Sequence, residues 1–351
     1  MRRGTLQAAQ WLGRVGLVLV LVASPVVIAG ADTRPLAILG PAKEAWSTNE
    51  TIHSVAVSDG QAVVFGGPAA GIQWLEIPGR IRLDLHGYGG GNIRSVIVSG
   101  PFVAWHAGVL DVRSGALYRV AWPVSEGPKA GWNGTVYGMK GSEPWAYDLA
   151  SNRSVPLTFA GDAAPKGAPA ATRMYDAGPL GLVVGTDFSY MLWGWDGSWA
   201  TVPVGQRVAG CGGWLAARSQ AGWQLALENV RGGNAVTAWE VPLAQVPVTL
   251  HAAGGTWAVV LQDPTTATLP YILVGDCTGQ HRRVDVTDLP TGTYVQAAWV
   301  HGGGLLVENS GNRLFAVETG PGIQLALPAA VVGLVLVAVS ILLRQRAIRA
   351  A

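Results

Sequence analysis

The chain is poor in charge, in clustered histidine and in cysteine. Charged residues are 13% of its 351 residues, and its mean hydropathy is +0.30, which points to membrane-embedded segments. The six histidines are His53, His86, His106, His251, His281 and His301. They form no His-Glu-x-x-His or other metal-ligand spacing, so they read as core or turn residues. No Gly-x-Ser-x-Gly elbow is present, which removes that class of nucleophile. A basic stripe is also missing. The formal net charge of +2 conceals arginines gathered at the two ends, Arg2, Arg3 and Arg14, then Arg344, Arg346 and Arg349. Between Asp32 and Gly322 stand 18 basic and 22 acidic residues, a mildly acidic body that excludes nucleic acid as a partner. No cofactor, catalytic residue or metal ligand is assigned.

The ends carry the apolar runs. Residues 1–31 begin with Arg2-Arg3, continue through Val15–Val22 and finish at Ala29-Gly30-Ala31. This pattern fits a secretory signal, and the run from Trp11 to Ala31 is also long enough for an uncleaved N-terminal anchor. Leu325–Leu343 has no charge and is followed by Arg344 and Arg346. It reads as a transmembrane helix with its positive flank in the cytoplasm. The expected organisation is a signal or anchor at 1–31, an extracytoplasmic domain at 32–322, a membrane helix at 323–343 and a basic cytoplasmic tail at 344–351.

Glycine (48) and tryptophan (15) are abundant: glycine serves turns, and tryptophan fills the space between packed sheets. Glu76, Asp111, Asp148, Asp196, Glu228, Asp276 and Glu318 each follow a short apolar run and precede turn formers, at spacings of 32 to 48 residues. A period near 40 with strand-turn-strand character is the mark of a β-propeller blade. Each acid is expected to accept backbone N–H bonds two residues on and so start a tight turn. One carboxylate per turn falls far short of the six to eight oxygens that calcium takes. The fold expected is all-β, a seven-bladed propeller. The last blade lacks its outer strand, and Pro35–Leu39 is the segment expected to supply it and close the ring, since an open ring leaves bare sheet edges. Residues 160–171 are expected to be a flexible connection between blades three and four.

Leu110-Asp111-Val112-Arg113-Ser114-Gly115 and Tyr147-Asp148-Leu149-Ala150-Ser151-Asn152 resemble the Tyr/Leu-Asp-Leu-x-Thr/Ser-Gly turn of bacterial TolB-like, YVTN-type and quinoprotein-like propellers. The resemblance spans about 35–318 and implies a fold, with no substrate.

Cys211 and Cys277 fall in turns on one face of neighbouring blades, the first between inner strands and the second between outer ones. A disulfide and two separate thiols both remain open, because inner and outer turns can lie too far apart to bridge. The opposite face carries the blade-to-blade connections. Its long loop Gln262–Leu269, with Asp263, Thr265, Thr266 and Thr268, is the expected docking place for a protein or cell-envelope partner. The function expected is a membrane-tethered extracytoplasmic binding or scaffolding module. The alternative is a quinoprotein-type enzyme or accessory subunit with a ligand at the propeller mouth.

Overall fold

The computed structural model describes residues 36–38 and 43–321, apart from 90–92, 94, 125–126, 187–188, 220–221, 232–233, 263–270, 286–294, 302–303, 310–311 and 318. The expected signal or anchor at 1–31, the membrane helix at 323–343 and the tail at 344–351 lie outside the described residues. Among the described residues every regular element is a strand. Short apolar runs cut by Gly, Pro, Asn and Asp produce this, because each run fills one strand and each break supplies a turn.

The first two strands are β1 (Leu36–Ile38) and β2 (Lys43–Ser47). Blade one follows as β3 (Thr51–Ser58), β4 (Gln61–Gly67), β5 (Trp74–Ile77) and β6 (Ile81–Asp84). Blade two is β7 (Ile97–Ser99), β8 (Phe102–Trp105), β9 (Gly108–Asp111) and β10 (Leu117–Tyr118). Blade three is β11 (Ala130–Trp132), β12 (Thr135–Lys140), β13 (Glu143–Asp148) and β14 (Arg153–Val155). Blade four is β15 (Arg173–Gly178), β16 (Gly181–Gly185), β17 (Tyr190–Gly194) and β18 (Trp199–Val202). Blade five is β19 (Gly205–Gly210), β20 (Gly213–Ser219), β21 (Trp223–Arg231) and β22 (Asn234–Leu243). Blade six is β23 (Val246–Ala253), β24 (Thr256–Gln262), β25 (Tyr271–Asp276) and β26 (His281–Asp285). The last three strands of the ring are β27 (Val295–His301), β28 (Gly304–Asn309) and β29 (Arg313–Val317), and β30 (Thr319–Pro321) ends the described chain.

Strands pair in chain order within each blade, antiparallel throughout. The first strands of successive blades touch in a full cycle, β3 to β7, β11, β15, β19, β23, β27 and back to β3. This is a closed ring of seven four-stranded sheets, the all-β seven-bladed propeller expected from the repeats. The blades meet face to face over apolar clusters. Phe65 and Leu75 of blade one pack with Trp105 and Leu110 of blade two. Leu215 and Leu225 of blade five pack in the same way with Trp257 and Val259 of blade six. Trp105, Trp214 and Trp257 are among the largest fully buried side chains, each worth about 3 kcal/mol in area removed from water. In blades one and three a strand-two glycine stands opposite a strand-three tryptophan, Gly66 to Trp74 and Gly138 to Trp145. The indole lies flat over its glycine, where a Cβ would collide with the ring.

Closure does not use the segment expected. Lys43–Ser47 supplies the outer strand of blade seven: β2 pairs with β29, Lys43 opposite Ala316 and Ser47 opposite Arg313. Residues 36–38, inside the expected Pro35–Leu39, pair separately with Thr319–Pro321 as a two-stranded ladder. An outermost strand has solvent on most sides, so the polar Lys-Glu-Ala-Trp-Ser run suits it better than an apolar one; all of its residues but Trp46 are exposed. Residues 160–171 also differ from the flexible connection expected. Phe159 is buried and stacks on Trp195 at 5.5 Å, and Ala164, Ala168 and Ala171 join the same cluster.

Trp46 links the closing strand to blade one. Its Nε1 donates to Glu76 Oε1 at 2.8 Å, and its ring lies 6.0 Å from that of Trp74. Trp46→Ala is expected to destabilise the propeller by about 2 kcal/mol, since the side chain is only part-buried. Urea unfolding checks this, and an unchanged midpoint would mean that the strand does not hold the ring.

Candidate functional site

The seven expected turn acids separate by side-chain length. Asp111, Asp148 and Asp276 end third strands, and Asp196 follows one. Asp111 Oδ1 accepts the Arg113 N–H at 3.0 Å, Asp148 Oδ1 that of Ser151 at 2.6 Å, Asp196 Oδ1 that of Ser198 at 3.0 Å and Asp276 Oδ1 that of Thr278 at 2.8 Å. Bonds from Ser151 and Ser198 hold Asp148 and Asp196 below the ordinary carboxylate range. The glutamates do something else. Glu76 sits within β5 and accepts from Trp46. Glu228 sits inside β21, fully buried, away from any turn. A glutamate's extra methylene makes the short loop back onto its own backbone unfavourable, so the carboxylate reaches across to other side chains. Glu318 lies outside the described residues, as do Asp263, Thr265, Thr266 and Thr268 of the expected docking loop.

Cys211 and Cys277 form a disulfide, with Cα atoms 5.1 Å apart. The distance that left a bridge in doubt is short because the inner turn of one blade meets the outer turn of the next. Blades one and two show the same juxtaposition without sulfur: Arg113, in the β9–β10 turn, donates to Asp59, in the β3–β4 turn, at 2.7 and 3.0 Å. Asp59 and Cys211 both take positive φ, 49° and 56°, before a glycine. Such hairpin turns favour Asn, Asp or Gly, so the cysteine stands where turn chemistry alone would not place it. Its bridge, across 66 residues, is worth about 4 kcal/mol by loop entropy.

Sequence reasoning missed a buried ion set on blade five. Register puts Arg207, Ala216, Ala226 and Glu240 in one row across the sheet, with Arg218, Gln224 and Glu228 on the same face. The small Ala216 and Ala226, both fully buried, leave room for the long side chains. Glu228 Oε2 accepts from Arg207 Nε at 3.0 Å, and its Oε1 from Arg218 Nη1 at 2.6 Å. Arg218 Nη2 also lies 3.4 Å from Glu240, whose side chain is 52% exposed. The side chains of Arg207 and Glu228 are only 2% and 1% exposed. In the sequence Glu228 stands before Asn229 as the other acids stand before their turn formers, so nothing local set it apart.

Of this set Arg207 lines a cleft of about 670 Å³ on the inner side of blades four to seven. Its walls come largely from first strands, with Tyr175 of blade four, Gln206 and Arg207 of blade five, Val248 of blade six and Trp299 of blade seven, joined by Tyr190 and Trp223 from third strands. Most of these residues lie near the beginnings of first and third strands, so the cleft opens towards the blade-to-blade connections, opposite the disulfide. Tyr175 and Tyr190 stack at 4.1 Å, and the Arg207 guanidinium carbon lies 5.9 Å from the centre of the Tyr190 ring. Arg207 Nη1 and Nη2 are buried without a hydrogen-bond partner.

Other titratable groups stand on nearby strands. His251 Nδ1 accepts the Val300 N–H at 3.1 Å, and burial pushes this imidazole down to about 4. Asp176 is half-buried as a residue with its carboxyl enclosed; burial pushes it up to about 7 against N–H donation from Ala177 and Ala209. Among the described residues no group of three or more His, Cys, Asp or Glu could hold a metal ion.

No protein-family model matches the chain, and no curated protein sequence matches it. Solved structures do. BamB from Moraxella catarrhalis aligns at 13% identity and a TM-score of 0.40, covering 82% of this chain and 94% of its own. YCF48 bound to D1 peptide aligns at 10% and 0.47, covering 82% and 96%. An inactive virginiamycin B lyase from Staphylococcus aureus aligns at 11% and 0.45, covering 78% and 97%. The likeness is one of β-propeller fold and carries nothing about ligands.

Glu308, on β28 and 7% exposed, is pushed by burial up to about 7 from an ordinary 4.5. The folded chain therefore keeps a proton that the unfolded chain loses. The stability involved is full below about pH 4.5 and falls as pH rises towards 7. Glu308→Gln should gain over the parent across that interval, by about 3 kcal/mol above it. Thermal melts of both proteins from pH 4 to 8 check this, with His251 titrating equally in each. A gap that does not change with pH would overturn it.

Proposed function

We propose that the chain is a membrane-tethered extracytoplasmic propeller that binds a partner at the centre of the ring, on the connection face. The cleft carries this reading. It combines aromatic walls from four side chains, Tyr175, Tyr190, Trp223 and Trp299, with a buried cation beneath them, and such a mixture of apolar surface and few polar groups is what a binding site needs. Its frame is stiff, since neighbouring blades share buried clusters and a disulfide ties blade five to blade six. A preorganised surface loses little entropy on binding.

The compartment follows from three supports. The disulfide suits an oxidising environment. The apolar run Leu325–Leu343 with Arg344 and Arg346 beyond it suits a single span with the tail inside. The N-terminal run fits export. The partner class is a protein or another cell-envelope component.

A photo-crosslinking residue at Val248, in the cleft wall, is expected to give a discrete adduct in intact cells. The same probe at Ser114, in an exposed turn on the opposite face, should give none. Alkaline carbonate should leave the protein in the membrane pellet. Adducts at Ser114 alone, or release by carbonate, would sink the reading.

A further inference from the structure

Resting on the proposal that the cleft is a binding site, we infer that it takes a ligand bearing a single carboxylate next to an aromatic or aliphatic group. The buried members of the ion set are two guanidinium groups and one carboxylate, so they carry one net positive charge. Glu240 offsets part of it on the Arg218 side, where it is half in solvent and therefore weakly coupled. On the Arg207 side no carboxylate among the described residues forms an ion pair besides Glu228.

The guanidinium geometry narrows the class. Arg207 Nε is committed to Glu228. What remains is the terminal pair, Nη1 and Nη2, both without a hydrogen-bond partner. Two parallel N–H donors match the two oxygens of one carboxylate. Leaving such donors unmade in a buried place is costly, and an anion there satisfies both at once. A single charge also matches one carboxylate better than a phosphate dianion, which would bring a second charge into a site with nothing to balance it. The neighbouring walls supply the rest of the ligand's environment. Tyr190 faces the guanidinium, and Tyr175, Trp223, Val248 and Trp299 offer apolar surface around it.

The test titrates three probes calorimetrically into the full chain in nanodiscs: 3-phenylpropionate, its amide, and inorganic phosphate. The acid should bind at least tenfold more tightly than either of the others. Arg207→Gln should lose at least that factor. Because this variant strands Glu228 and can impair folding, Val248→Trp is the second probe; it fills the cleft without touching the ion set and should also abolish binding. Equal binding of acid and amide would overturn the carboxylate assignment, and so would phosphate binding as tightly as the acid. If none of the three binds while the Val248 crosslinker still captures a partner, this inference fails and the binding-module reading stands. If both fail, the cleft is not a binding site.

Discussion

The pairing of Lys43–Ser47 with Arg313–Val317 is the constraint on which the rest of the propeller depends. A sheet edge left bare at blade seven would expose a row of unpaired N–H and C=O groups and invite pairing with other chains. With the ladder made, the first strands of all seven blades contact one another in a cycle. The walls of the cleft come from four successive blades of that cycle, four to seven. Trp46 reinforces the join by reaching past its own sheet to Glu76 and Trp74 of blade one.

Within blades tryptophan lies over glycine, apolar clusters join neighbouring blades, and blade five adds a set of buried charges to that plan. On blade five the face turned towards blade four carries Arg207, Arg218 and Glu228 beside Trp214, which packs with Val183 and Leu192 of blade four. Burying three charges brings a desolvation cost that an apolar set of equal volume would avoid. Local departures of this kind, in an otherwise consistent sequence, mark positions selected for something other than stability. Through Arg207 these charges reach the aromatic-walled cleft.

The repeats, their number and the position of most turns were legible, because alternating apolar residues and Asx-type turns are local features. Legibility ended where a residue's role depends on what lies across a sheet or between sheets. Glu228 looks like the turn aspartates in sequence, yet its longer side chain and its place inside a long strand make it an ion-pair centre. Pro35–Leu39 looked like the closing strand because it precedes blade one and has no blade of its own, whereas an outermost strand is mostly wet and the polar Lys43–Ser47 fits there. The cysteines were placed on the correct face, but the contact between an inner turn and the next blade's outer turn is a property of packed, twisted sheets. Only the structure shows it, through Asp59 with Arg113 and Cys211 with Cys277. The expected docking loop, with Asp263, Thr265, Thr266 and Thr268, lies outside the described residues, and the cleft is built largely from strand residues of blades four to seven.

The closing ladder also sets an order of assembly. Every blade from one to six is a run of neighbouring hairpins and can form as soon as its own residues emerge. The strand at 43–47 precedes blades one to six along the chain, and its partner at 313–317 follows them. During synthesis, then, one strand is held without its mate while six blades accumulate beside it. A chain cut short before residue 313 would keep nearly all of its local pairing and still be an open arc. Quality control that inspects exposed sheet edges would read that arc as unfinished, whatever the state of its individual blades.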